Sequence, residues 1–395
     1  MGRRFPLLLL ALGAAARAAA QEPMLVVQRQ PAVPVVALRV SLVADDPLGY
    51  AGAGHLLQHL HEPVLRERLR RFGGELLYER NADAVVTTLI GPAAELPALA
   101  EVVRTLLSPP AADRIALVRT VRTLREEALA EWEVAQARVR AELRNRLLPA
   151  QLPTAGRPSQ LERFEAIDPA ALWAGLYRPD RVAIVAVGDV TLEALAQALG
   201  SLPAPPVAEL PPAGPDTVPV PAAADVQATR AWFGWGIRAD DAGPATLAVL
   251  GRLLHQGLRR RLPPEASVEV DHWWTHHGMA LVAVVAAPDS LAARVRRVLA
   301  DPWAVVPAQP NEATVRAAAT RLRRQILFAA RRPETMAEFL GRFVDRGSDP
   351  EAAQRFYDAL ARVDAAAVAR VRARLRAEPP ARVEIPPQTL PRRSP

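Results

Sequence analysis

Two histidines four residues apart open the case for chemistry: the chain reads Gly54-His55-Leu56-Leu57-Gln58-His59-Leu60. On a helix, residues i and i+4 stand one above the other on a single face, so both imidazoles can reach one metal ion. Without further context such a pair is more often structural or exposed than ligating. Glu62 lies three residues after His59 and seven after His55, so it shares that face and stands one turn from any water held there. An exposed Glu in front of Pro63 is the plainer reading of it. A second cluster, Asp271-His272-Trp273-Trp274-Thr275-His276-His277, has the residue types of a metal or substrate patch. Strand residues alternating towards a hairpin turn explain it more simply.

The elements that must position these groups follow from periodicity and breakers. Strands are expected at Leu25–Val27 and Val35–Val43, separated by Pro31 and Pro34. The helix carrying the His pair should run from about Gly54 to Arg70 and end at Gly73-Gly74. A strand at Val85–Ile90 precedes helices at Leu96–Leu107 and from Asp113 to about Leu147, the latter one continuous stretch with i, i+3, i+4 apolar spacing. Val182–Val187 reads as a buried strand closed by Gly188-Asp189. The proline-dense stretch from Pro203 to Pro221 reads as a linker, set at residues 203–225. Beyond it the order recurs: a strand near 230–236, a helix from about Pro244 to Arg261, a strand pair around 267–287, helices from 289, and a final strand Ala381–Ile385. The expected fold class is therefore α+β, with two similar domains at residues 24–202 and 226–390. Each should be a mainly antiparallel sheet packed with helices, the pair arising by internal duplication.

The His pair on a helix is close to the inverse zincin signature H-x-x-E-H, with Gln58 in the Glu position. Around it, Ala53-Gly54-His55-Leu56-Leu57-Gln58-His59-Leu60 resembles the metal helix of the pitrilysin/insulinase family of zinc metallopeptidases. Phe72-Gly73-Gly74-Glu75 is similar to that family's turn before a hairpin. Tyr177-Arg178-Pro179-Asp180 with Gly188-Asp189-Val190 resembles the closing strand of its first domain. These motifs stand in the family's order, and the resemblance covers about residues 24–386. It implies a clam-shell half, one zinc site, and a third ligand from the segment Thr123-Leu124-Arg125-Glu126-Glu127-Ala128-Leu129. That ligand is assigned to Glu127, with Glu126 as the neighbour able to replace it. It also implies three departures. The family's Glu is a general base, whereas Gln58 can orient a water but cannot take its proton. Arg259 keeps the family's substrate-gripping Arg, but the partner Tyr position falls on Ala266. An acidic residue seven before the ligand Glu is Thr120. Gln58 is close to Glu in shape, so exchanging it for Glu is expected to leave the helix undisturbed.

Over the whole chain of 395 residues, 49 basic side chains, all Arg, face 42 acidic ones. No dense Arg cluster interleaved with aromatics occurs, so nucleic acid is not an expected partner. Residues 1–20, with Arg3 and Arg4, the apolar run Leu7–Leu12 and Ala18-Ala19-Ala20, read as a signal peptide, so a secreted or periplasmic protein is expected. No later stretch is long and apolar enough to span a membrane, and with no Cys there is no disulfide or cysteine metal site. The function expected from the sequence is a peptidase homologue that is catalytically inactive. It would act as a non-catalytic partner subunit, in a homo- or hetero-dimer with an active family member, or as a peptide-binding scaffold. The alternative is a zinc metalloendopeptidase of slow or altered activity on a peptide or protein substrate.

Overall fold

A computed structural model describes residues 23–47, 49–80, 83–149, 156, 158–203, 210, 228–347, 349 and 351–387. The signal-peptide reading of residues 1–20 and most of the 203–225 linker lie outside the described residues. Nine strands and thirteen α-helices are described. The strands are β1 (Met24–Arg29), β2 (Val35–Leu42), β3 (Glu75–Arg80), β4 (Val85–Pro92), β5 (Val182–Gly188), β6 (Ala231–Arg238), β7 (Ser267–Thr275), β8 (Gly278–Ala287) and β9 (Ala381–Ile385). The helices are α1 (Ala53–Arg70), α2 (Leu96–Leu106), α3 (Arg114–Glu133), α4 (Ala135–Leu147), α5 (Pro158–Leu161), α6 (Pro169–Leu176), α7 (Leu192–Leu199), α8 (Pro244–Arg261), α9 (Asp289–Ala300), α10 (Glu312–Ala329), α11 (Pro333–Val344), α12 (Ala352–Arg362) and α13 (Ala365–Ala377).

The strands form two sheets, in the orders β1-β5-β2-β4-β3 and β7-β8-β6-β9. All neighbours are antiparallel except β1 and β5, which run parallel. Without β1, the first sheet reads β5-β2-β4-β3 and the second β9-β6-β8-β7, the same order built from elements in the same sequence positions. The fold is thus α+β, two mainly antiparallel sheets packed with helices, as the strand and helix spacing predicts.

The chain forms two compact units that are not contiguous in sequence: residues 1–127, 152–218 and 326–355, and residues 128–151, 219–325 and 356–395. The expected boundaries at 202 and 226 place α4 with the first sheet and α11 with the second. In the structure α4 packs on β6, β8 and β9, and α11 packs on β2 and β5. Side-chain spacing explains the first exchange. Ala135, Val139, Leu143 and Leu147 recur every fourth residue and are buried with Val282, Val284, Val383 and Ile385. Strand β6 makes room with two glycines on one face: a Cβ on Gly234 would meet Val139 Cγ1 at 2.6 Å, and one on Gly236 would meet Leu147 Cδ1 at 2.6 Å. The expected single helix from 113 to 147 accordingly breaks at Val134, whose φ of −80° and ψ of 113° are extended.

A buried charge holds α11 in the first unit. Arg39, in the middle of β2, is fully buried. Its Nη1 and Nη2 donate to Asp345 Oδ1 at 3.0 Å and Oδ2 at 2.6 Å, and Nη1 also donates to Ser41 Oγ at 2.6 Å. Glu79 accepts from the same guanidinium at 3.3–3.4 Å. Burial works against the charge, but the hydrogen bonds and field of Asp345, and then Glu79, outweigh it and hold the Arg39 pKa above its ordinary value. The guanidinium lies where a Cβ on Gly341 of α11 would stand, 2.1 Å from Nη1.

Candidate metal site

Helix α1 presents the His pair because its first turn is pinned from both sides. The Asp46 carboxylate accepts from the backbone N–H of Gly52 at 2.6 Å and of Gly54 at 2.8 Å, which satisfies two donors at the helix start. Burial raises the Asp46 pKa to about 6, against the opposing pull of those two N–H groups. Gly54 lets the helix press on β4, since a Cβ there would stand 2.2 Å from Val85 Cγ2. The small residues before His55 are therefore a packing requirement of the helix start.

From that helix His55 and His59 point their Nε2 atoms at each other, 3.1 Å apart. Glu127 completes a triangle from α3, with Oε2 at 3.4 Å from each of the two Nε2 atoms. The choice between adjacent acids is made by helix phase. Leu117, Val121, Leu124 and Ala128 form the buried stripe of α3. Glu127 borders that stripe, whereas Glu126 is exposed and lies 4.0 Å from Arg122. Three ligand atoms at tetrahedral angles around Zn²⁺, with metal–ligand distances of about 2.0–2.1 Å, are separated by about 3.3 Å. The triangle has that size, and two neutral imidazoles with one carboxylate are a donor set zinc accepts. The residues present fit the metal.

Gln58 turns its amide nitrogen to the neighbouring strand. It is 6% exposed, and its Nε2 donates to the backbone carbonyl of Val86 on β4 at 2.7 Å. The amide ties α1 to the sheet through a proton that an ionised Glu does not have. The expectation that Glu substitutes here without disturbance is therefore corrected: the carboxylate would be buried against a carbonyl oxygen. Glu62 stands 3.7 Å from His59 Nδ1, on the side of the ring away from the triangle, and accepts from Arg66 Nε at 2.6 Å.

The remaining sequence candidates lie elsewhere. Arg259 belongs to the other unit, at the end of α8, where its Nη1 donates to the carbonyl of Ala266 at 2.9 Å. Ala266 is 1% exposed. A Tyr there has to displace packed neighbours rather than project from the surface. Asp271 to Thr275 lie in β7 and His276-His277 form its turn into β8. Asp271 and Glu269 accept from Arg140 at 2.7 Å. Sequence reasoning passed over three groups beside the triangle. Asp46 had no spacing signal. Tyr78 donates its hydroxyl to the Gln58 carbonyl at 3.1 Å, and burial, then the Glu62 charge, pushes its pKa up. His61 is buried with Nδ1 at 2.8 Å from the Leu57 carbonyl and Nε2 at 2.9 Å from the Ser108 carbonyl. Burial lowers its pKa against the pull of those carbonyls. A neutral ring donates to one of these two carbonyls, so His61 is held inside the fold by the tautomer it adopts.

No protein-family model and no curated protein matches this sequence. Solved structures do. A protease from Helicobacter pylori matches with a TM-score of 0.74 at 13% identity, over 94% of this chain and 98% of that one. A peptidase M16 inactive domain from Pseudomonas fluorescens matches with a TM-score of 0.71 at 14% identity, over 96% and 98%. The periplasmic protease PqqL from Escherichia coli matches with a TM-score of 0.65 at 13% identity, over 90% of this chain and 43% of that one. At such identities the likeness concerns architecture, and by it the chain carries the α+β fold of M16 peptidase-like proteins.

Proposed function

We propose that this protein is a degenerate member of the pitrilysin/insulinase group that binds one zinc ion through His55, His59 and Glu127 and does not hydrolyse peptides. Its role is that of a non-catalytic partner subunit, or peptide-binding scaffold, of a secreted or periplasmic zinc peptidase. The observation that carries this reading is the Gln58 amide, buried and bonded to the Val86 carbonyl at 2.7 Å, beside a donor triangle of zinc dimensions. Zinc, when bound, supplies a Lewis acid. The chain's own residues hold it: two imidazoles from α1 and a carboxylate from α3. What they do not supply is a general base at position 58, because a neutral amide is too weakly basic to take up a proton from water, wherever its N–H points. The M16 inactive domain among the structural neighbours supports a non-catalytic reading, and the protease neighbours support a peptide-handling surface.

The intact donor set favours one second reading, a zinc endopeptidase of slow or altered activity. One experiment separates the two. The purified mature protein is assayed for zinc by elemental analysis and calorimetry, and for cleavage of quenched fluorescent peptides with and without zinc. Uptake of one equivalent, abolished in the His55→Ala/His59→Ala double variant, together with no turnover, is the expected result. Zinc-dependent turnover that disappears in His59→Ala establishes the second reading. Failure of the unaltered protein to take up zinc removes the metal from both.

A further inference from the structure

We infer that Glu62 is a positioning residue for the metal site, fixing the tautomer and orientation of His59 from the far side of its ring; this rests on the proposed zinc reading. A ligating imidazole offers one nitrogen to the metal and must carry its proton on the other, and a carboxylate facing that second nitrogen both holds the ring and makes it a better donor. His59 turns Nε2 into the triangle, 3.1 Å from His55 Nε2 and 3.4 Å from Glu127 Oε2. Its Nδ1 then faces Glu62 Oε2 at 3.7 Å. The carboxylate is itself steered, because its other oxygen accepts from Arg66 Nε at 2.6 Å. His59, Glu62 and Arg66 sit at i, i+3 and i+7 along one face of α1, so a rigid helix sets their order. The His59 and Glu62 side chains are 21% and 27% exposed, which weakens solvent screening between them. Glu62 is therefore placed to orient a ligand and not to act on a substrate, since the Nε2 edge of the ring lies between it and the point where the donors converge.

The test is zinc affinity by competition with a chromophoric chelator, with His59 followed by ¹⁵N NMR in the metal-free protein. Glu62→Gln is expected to weaken zinc binding by about 10–100-fold. Glu62→Asp, which keeps the charge, should recover part of the loss. Arg66→Met, which only releases the steering bond, should give a smaller loss than Glu62→Gln. The loss in Glu62→Gln should persist at about 0.5 M salt, where a merely long-range charge effect fades. Melting of the metal-free variants separates positioning from a structural role, which would lower affinity only in step with stability. In metal-free Glu127→Ala, where the Glu127 carboxylate no longer faces Nε2, His59 should be the Nδ1–H tautomer and become a mixture when Glu62→Gln is added. Affinity within roughly two-fold of the unaltered protein in Glu62→Gln, or a loss that salt abolishes, overturns the assignment. If the unaltered protein takes up no zinc, the metal reading fails and the tautomer decides alone: an Nδ1–H state lost on adding Glu62→Gln to Glu127→Ala upholds the positioning role, and an unchanged tautomer overturns it.

Discussion

At the scale of single residues, the proposed function turns on one amide. Position 58 lies between the two histidines in sequence but points to the sheet, giving its N–H to Val86. Gln58→Glu places a carboxylate against that carbonyl with no donor to offer, and burial favours its neutral form. The substituted Glu should have a raised pKa in the folded protein. The cost is then absent below the ordinary Glu value near 4.3 and grows as pH rises through the folded value, to about 2–3 kcal/mol of stability at neutral pH. The expected outcome is a melting temperature that falls below that of the unaltered protein as pH increases, with no gain in peptide cleavage. Equal melting of the two proteins at pH 8, or zinc-dependent turnover in Gln58→Glu, would contradict the tie to Val86. The choice of Glu127 over Glu126 belongs to this scale too: the sequence assigns Glu127 by resemblance, and the phase of α3 sets Glu127 beside the buried stripe and Glu126 in the open.

At the scale of elements, helix exchange is the main result. Helices α4 and α11 each leave the half of the sequence in which they begin and pack on the sheet of the other. The apolar faces that drive this are visible as periodicity, but periodicity does not name the partner surface. Helix α11 is held on the first sheet by apolar packing and by the pair Arg39–Asp345, whose side chains are fully buried. Removing Asp345 leaves the buried guanidinium with Glu79 at 3.3–3.4 Å, so the cost falls below the about 3–5 kcal/mol of a fully uncompensated buried charge. Asp345→Asn is therefore expected to lower the unfolding free energy of the first unit by about 2–3 kcal/mol, and Asp345→Leu by at least as much. The triple change Arg39→Met/Glu79→Gln/Asp345→Leu should recover much of the loss, because no charge of the cluster is then left without its partner. Chemical denaturation of the three variants measures this, and a single change costing under about 1 kcal/mol would mean that the pair is not the anchor.

For the whole molecule, the fold offers sheet edges at β1, β3, β7 and β9 among the described strands. A sheet edge that is left uncovered accepts an extended peptide by backbone pairing without chemistry. Among the described residues no helix is long and apolar enough to cross a membrane. The partner-subunit reading predicts association with a relative that retains H-x-x-E-H in the same compartment. Mixing the two and following mass by light scattering should give a species heavier than either alone. A profile that stays additive with every co-encoded relative would count against the partner role and leave the scaffold reading.

The sequence by itself determined the α+β class, the recurrence of element order, helix α1 and the two histidines on one face of it. Each depends on local spacing, turn residues or hydrophobic period, which are short-range properties of a chain. Tertiary structure alone decided the break at Val134, the exchange of α4 and α11, the burial of Arg39 and the direction of the Gln58 side chain. Val134 carries no breaker; its extended backbone is set where α4 docks on a surface assembled from residues 231–285 and 381–385. Arg39 in a strand of apolar residues looks misplaced until Asp345, 306 residues away, supplies its partner. Gln58 reads as a weakened catalytic residue in the motif, and only the position of Val86 on the neighbouring strand makes it a structural tie, because the identity of a hydrogen-bond partner is fixed by packing and not by spacing.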